Sequence, residues 1–322
     1  MTELENRILA EAQRLLSENL ADVVIAFKQA DTPLRPQPAF FTDAEAVNDL
    51  VYNGLCQNNL ANYLTRYPRE KKIAMVVRGC ESRSVNALVL ENQHPRENLY
   101  LIGIPCEGIV DWRKIVEAVG EDVLSVQDQA DIVVVRTPKG EFTLDRAALM
   151  HGSCLRCTQK NPLGTDVTIG KPVAEQDPHL LRERVKDFEA LGIQTRYEYF
   201  RQESERCIRC YACREACPMC YCEECFVDHT GPRWTESGVT PAGMQGWHII
   251  RAFHQTGRCT SCGACERACP MDIHMTYLTD KLNTDMYDKY QFVAGLDAKT
   301  QTPFAAFNLD DKNRFIAGGT SK

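Results

Sequence analysis

The chain has 322 residues, about two domains' worth at the usual ~100–200 residues each, with 44% apolar residues, 25% charged residues and a net charge of −7. That acidic balance excludes a general binder of nucleic acid or anionic membrane, and no apolar run approaches the ~18 residues needed to cross a bilayer. The charged start, "MTELEN", lacks the apolar stretch of a secretory signal, so the chain reads as cytoplasmic and its 16 cysteines as metal ligands or reactive thiols, not disulfides.

In chain order, Leu4, Ile8, Leu9, Ala12, Leu15, Leu16 and Leu20 repeat at helical spacing along one face. "DVVIAF" (22–27) predicts a buried strand and "RPQP" (35–38) a turn. Thr42 with Glu45 three residues on predicts a capping box, opening a helix that runs toward Cys56. From residue 72 strands and helices alternate: "KIAMVV" (72–77), "SVNALVLENQ" (84–93), "NLYLIGI" (98–104), "DWRKIVEAV" (111–119) and "DIVVV" (131–135). Such alternation predicts an α/β unit with parallel strands. Residues 177–205 predict charged helices, 244–257 another helix, and the chain after about 280 an irregular tail. The predicted organisation is thus an α/β domain over 1–175, a helical connector over 176–205, a mainly helical two-cluster ferredoxin-type domain over 206–280 and a tail over 281–322.

Five cysteines are scattered in the first half and eleven crowd into 207–269. Cys207, Cys210, Cys213 and Cys217-Pro218 follow C-x2-C-x2-C-x3-C-P, and Cys259, Cys262, Cys265 and Cys269-Pro270 repeat it. Three cysteines at a spacing of three wrap the chain around one corner of a cubane; the fourth is carried away to the other cluster. The spacing therefore assigns one 4Fe–4S cluster to Cys207, Cys210, Cys213 and Cys269, and a second to Cys259, Cys262, Cys265 and Cys217. Zinc sites favour two C-x2-C pairs over a triple followed by C-P. A helix lies between the two runs. Over about residues 200–280 the chain resembles the α-helical ferredoxins of fumarate reductase and heterodisulfide reductase iron–sulfur subunits.

Cys80 and Cys106 each follow a predicted strand, at the carboxyl edge where α/β sheets carry their sites. Gly79 and Gly108 beside them predict close approach of the backbone to a cluster, and Arg78 and Arg83 predict solvated positions on a surface loop. "IPC" after a strand, then Cys154-x2-Cys157 and "DVTIG", make residues 70–170 similar to the beta-subunit family of deazaflavin-coenzyme hydrogenases and dehydrogenases. The resemblance implies FAD, an iron–sulfur cluster and electron exchange with a soluble coenzyme. Unlike the simplest members, this chain adds the two-cluster module after the α/β domain, and it has no G-x-G-x-x-G fingerprint.

Cys80, Cys106, Cys154 and Cys157 then form a third cluster. Cys56, Cys220, Cys222 and Cys225 remain, four sulfurs for a fourth. Other divisions stay open: Cys56 replaces Cys80 in the third set, or the three late cysteines bind zinc or act as redox thiols. No general-acid pair and no nickel or molybdopterin signature is present. The chain reads as an electron-transfer subunit, without catalytic residues of its own, of an anaerobic oxidoreductase complex. Its partners would be a hydrogenase, a formate or aldehyde dehydrogenase or heterodisulfide-reductase-like subunits, and a redox carrier such as ferredoxin. The alternative is an FAD-containing reductase subunit serving a deazaflavin or NAD(P).

Overall fold

The computed structural model describes residues 2–236 and 238–304. Helix α1 (Glu3–Ser17) opens with a capping box in which Glu5 N donates to Thr2 Oγ1 at 3.1 Å and Thr2 N to Glu5 Oε2 at 2.7 Å. Ile8, Ala12 and Leu15 turn its apolar face onto a five-stranded sheet. The strands are β1 (Val23–Lys28), β2 (Gln37–Phe41), β3 (Ile73–Val77), β4 (Leu99–Gly103) and, beyond three strands of a second sheet, β8 (Val167–Thr168), in the order β2-β1-β3-β4-β8. Only the β1–β2 pair is antiparallel. Every residue of β3 is buried, because a parallel strand is covered on both faces; each Ile, Val or Met there contributes roughly 1.5–3 kcal/mol.

The parallel core matches the expectation, and three local details do not. Residues 37–41, read partly as a turn, form the edge strand β2, where Pro38 is tolerated because an edge need not donate on both sides. The helix expected after Thr42 is a single 3-10 turn over Ala46–Asp49; Asp43 intercepts the capping role, its Oδ1 accepting from Glu45 N at 2.6 Å. "DIVVV" leaves the parallel sheet altogether. It forms β6 (Ile132–Thr137) between β5 (Ser125–Asp128) and β7 (Gly140–Asp145), an antiparallel three-stranded sheet. Val133 and Val135 bury there against Val110, Ile115 and Leu149, the latter from α3 (Trp112–Val119) and α4 (Arg146–Leu149).

After β3 comes α2 (Gly79–Leu90), and after β7 and α4 the single turn α5 (Gly152–Leu155). The connector is two helices, α6 (Leu180–Ala190) and α7 (Ile193–Glu205); then come the single turn α8 (Ala212–Glu215), α9 (Pro241–His254), the single turn α10 (Ala264–Arg267) and α11 (Thr276–Tyr290). Phe188 of α6 stacks on Tyr277 of α11 at 4.4 Å, with Tyr199 of α7 edge-on. The expected irregular tail is thus helical as far as Tyr290. Residues 291–296 then fold back on α2, where Arg83 Nε and Nη2 donate to Ala294 O at 3.0 and 2.8 Å and Asn86 Nδ2 to Gly295 O at 3.1 Å. Residues 305–322 of that expected tail lie outside the described residues.

Side chains tie the two halves together. Arg113 of α3 donates to the carbonyls of Arg267 and Cys269 at 3.0 and 2.7 Å. Arg267 of α10 donates to Gln57 O at 2.8 Å and Cys262 O at 2.7 Å. Among the described residues, no helix is long and apolar enough to cross a membrane.

Candidate metal centres and an adjoining cavity

The two ferredoxin-type runs share one backbone shape. Arg209 and Tyr211 have φ of 55° and 60°, and Ser261 and Gly263, at the same distances from their first cysteine, have 55° and 70°. Left-handed residues alternating with ordinary ones turn successive amides inward, an anion-binding nest. Arg209 N donates to Cys207 Sγ and Ser261 N to Cys259 Sγ, both at 3.4 Å. Each run then enters its single helical turn, α8 or α10. Gly263 has a second reason to be glycine: a Cβ there would lie 2.2 Å from Ser153 Oγ, in the loop that carries Cys154.

Cys207, Cys210, Cys213 and Cys269 line one cavity, and Cys265 shares its wall. This is the first set expected from the spacing, with the distant fourth cysteine brought in. His248 lines the same cavity; burial lowers its pKa to about 4, so it stands there as the neutral ring. The second set is also gathered. Cys259 has Cys262 and Cys217 as electrostatic neighbours, and Cys265 has Cys217 and Cys262. Burial pushes the Cys259 thiol up to about 12. A thiol that deep gives up its proton against metal rather than water, so loading the site releases protons.

The third set converges as well. Cys80 begins α2 beyond β3, Cys106 follows β4, and Cys154 and Cys157 stand in and just after α5, ahead of β8. All four line one small cavity, together with Cys262 of the second set. Backbone amides again face sulfur: Gly108 N donates to Cys106 Sγ at 3.4 Å and Ile109 N to Cys154 Sγ at 3.3 Å. Burial raises the Cys106 thiol to about 11. Among the described residues, no three His, Cys, Asp or Glu side chains crowd round a single ion; Zn–S bonds of about 2.3 Å would draw four thiolates much closer together than a cubane does.

Three neighbours differ from expectation. Gly79 serves loop packing: a Cβ there would lie 2.1 Å from Gln159 O. Arg78 and Arg83 are not solvated but 3% and 7% exposed. Arg78 caps α2 in a forked pair with Glu81, Nη2 to Oε1 at 2.7 Å and Nε to Oε2 at 2.9 Å.

The remaining four cysteines do not gather. Cys56 is wholly buried in the α/β core. Its Sγ accepts from Asn53 N at 3.5 Å, and burial raises its pKa to about 12. No contact joins it to Cys220, Cys222 or Cys225 among the described residues. Cys220 instead sits against Cys217 of the second set, with Gln255 bonded to both: Nε2 to Cys220 Sγ at 3.2 Å, and Cys217 Sγ to Oε1 at 3.6 Å. Cys222 is exposed and Cys225 lies beside Arg214. The sixteen-minus-twelve arithmetic overlooked that a small apolar thiol also serves as core filling. Cys56→Ala is therefore expected to leave the iron content unchanged and to lower stability by about 1 kcal/mol; atomic absorption and anaerobic urea unfolding read the two effects.

A larger cavity of about 300 Å³ lies between the second and third sets, reaching Cys259 on one side and Cys80 and Cys157 on the other. Its walls are apolar, with Leu181, Met286, Phe292 and Val293, and its cations are Arg83, Arg156, His179 and Arg182; no Asp or Glu lines it. Two buried polar atoms on its wall, Thr284 Oγ1 and Arg182 Nε, have no hydrogen-bond partner. Arg182 also pairs with Asp288 and lies over the Tyr287 ring.

With this geometry in place, comparison with known proteins is informative. The chain is 24% identical over 343 residues to the F420-dependent formate dehydrogenase subunit beta of Methanocaldococcus jannaschii, covering 88% of this chain and 89% of that one. It is 22% identical over 304 residues to F420-dependent formate dehydrogenase 1 subunit beta of Methanococcus maripaludis, covering 74% and 77%. A chain of the F420-reducing NiFe hydrogenase complex from Methanosarcina barkeri superposes with a TM-score of 0.38 at 16% identity, over 48% of this chain and 63% of that one. The chain carries, in residues 70–191, the C-terminal domain of the coenzyme F420 hydrogenase/dehydrogenase beta-subunit family, followed in residues 203–273 by a 4Fe-4S dicluster domain.

Proposed function

We propose that this chain is the beta subunit of a deazaflavin-dependent formate dehydrogenase complex. It relays electrons between a catalytic partner subunit and the soluble coenzyme through three 4Fe–4S clusters and one FAD. The observation that carries this reading is the succession of shared walls. Cys265 of the second set borders the cavity of the first, Cys262 of the second borders that of the third, and the 300 Å³ cavity touches the second and third. The sets therefore stand in a row, 1–2–3, with the cavity at its inner end. Both beta-subunit relatives span most of this chain's length, which supports a formate-oxidising partner.

The cavity suits a flavin dinucleotide. Apolar walls fit a ring system, four cations and no carboxylate fit a diphosphate, and the unpartnered Thr284 Oγ1 and Arg182 Nε offer polar contacts. When bound, the flavin supplies the exchange between two-electron hydride and single electrons, and the clusters supply the single-electron steps. The chain's own part is to hold sulfurs and ring in a water-poor row, to bring amides onto the thiolates, and to place positive charge at the junctions. The expected result is that reduced deazaflavin coenzyme bleaches the cluster absorbance of the anaerobic protein while NADH and NADPH do not. Bleaching by a nicotinamide and not by the deazaflavin overturns the reading.

A further inference from the structure

Two arginines in the helical and α/β halves are buried without a carboxylate. Arg251 of α9 is 9% exposed and Arg83 of α2 is 7% exposed, and neither makes an ion pair among the described residues. Arg251 Nη2 donates to Cys213 O at 3.0 Å, while its Nε has no partner. Arg83 donates only to Ala294 O. A guanidinium taken out of water with no counter-charge is strongly disfavoured, so each position calls for a neighbouring anion.

The surroundings supply one kind of candidate. The charged neighbours of Arg251 are Cys265, Cys217 and Cys213, with Cys220 behind them. Cys213 belongs to the first set and Cys217 and Cys265 to the second. The neighbours of Arg83 are Cys157 and Cys80 of the third set, and Cys259 and Cys262 of the second. Each arginine thus stands at one junction of the row and touches the sulfurs on both sides of it. We propose that Arg251 and Arg83 set the reduction potentials along the row, Arg251 for the first and second clusters and Arg83 for the second and third. The inference rests on the three-cluster reading.

The physical reason is one of sign. One-electron reduction makes a thiolate-bound cluster more negative, and a fixed positive charge in a water-poor site favours the more negative form. Both arginines raise the potentials of the clusters they adjoin. The middle cluster receives both contributions, which makes it the most readily reduced of the three on this account. Neither residue touches a reacting centre; both act through the clusters.

The test is redox titration of the whole anaerobic protein followed by electron paramagnetic resonance. Arg251→Gln keeps a donor for the Cys213 carbonyl and removes the charge; Arg251→Lys keeps the charge; Arg83→Gln is the partner variant. In Arg251→Gln two of the three one-electron steps are expected to shift downward, each by at least a tenfold change in the reduced-to-oxidised ratio, ~59 mV for a one-electron couple. In Arg83→Gln two steps also shift, and one step is common to both variants. Arg251→Lys stays near the wild type. Unchanged potentials in variants that retain all their iron overturn the inference, as does an equal shift in Arg251→Lys. If Arg251→Gln fails to hold its iron, Arg83→Gln and Arg251→Lys decide on the same readout. Failure of the three-cluster reading looks different: the wild type itself shows fewer than three steps.

Discussion

Replacing Cys106 by serine is expected to lower the iron content from about twelve atoms per chain to about eight, four per cluster, while leaving both ferredoxin-type clusters in place. Cys106 is one of four sulfurs facing a single cavity, and its position is fixed from both sides. Its N donates to Lys160 O at 3.0 Å, in the loop after Cys157, and its Sγ accepts from Gly108 N. A serine hydroxyl fits that space but is a harder, weaker ligand for iron than a thiolate. The first and second sets sit on α8, α10 and the loops around them, which do not depend on Cys106. Electron transfer from reduced coenzyme to the ferredoxin clusters should fall at least tenfold in the same variant, because the inner end of the row has lost a member. Iron assay and stopped-flow absorbance read the two effects. A variant that keeps twelve irons shows that the third set does not hold a cluster.

Glu81→Ala is expected to destabilise the protein by about 3–5 kcal/mol, the range for breaking a buried ion pair from one side. Glu81 is 1% exposed and Arg78 3%. The carboxylate also accepts from Leu60 N at 3.1 Å and Arg78 N at 2.8 Å, so four donors lose their acceptor together. Arg78 Nη2 still reaches Asn58 O, at 2.7 Å, and its Nη1 the Cys56 carbonyl; neither supplies a charge. The double change Arg78→Met with Glu81→Leu should recover most of the loss, since an apolar pair of similar volume removes the stranded charge. Anaerobic urea unfolding reads both. A Glu81→Ala loss below about 1 kcal/mol, the scale of an exposed pair, contradicts this account of the junction.

What was legible in the chain follows from where the signal is local. The continuous β-branched runs at 73–77 and 99–103 read as parallel strands because both faces are covered, and the cysteine spacing read as two crossed clusters because the ligand order is written in the sequence. The placement of Cys80 and Cys106 at one sheet edge followed from the same strands. "DIVVV" carried the same apolar signature and went elsewhere. Its own sign was Pro138-Lys139-Gly140, a turn leading into the alternating "EFTLD" of β7, which marks an antiparallel hairpin. The 42–56 stretch failed because Asp43 offers the backbone a competing bond to the one a Thr42 capping box needs.

Burial was the other gap. Arg78, Arg83 and Arg251 look like surface residues in a sequence; nothing local says that the tail at 291–296 closes over α2, or that α9 passes between two cysteine sets. Cys56 failed in the opposite sense. It was counted as a ligand because three other cysteines lacked a partner, whereas its own setting among Leu55, Leu60 and Val47 is that of a core residue.

The most direct test of the account is the stoichiometry of the anaerobically purified chain: iron and acid-labile sulfide by colorimetric assay and flavin by fluorescence after acid release, on one sample. The account predicts about twelve irons, about twelve sulfides and one FAD per chain, four of each inorganic atom per cluster. About eight irons, about sixteen, or no released flavin contradicts it.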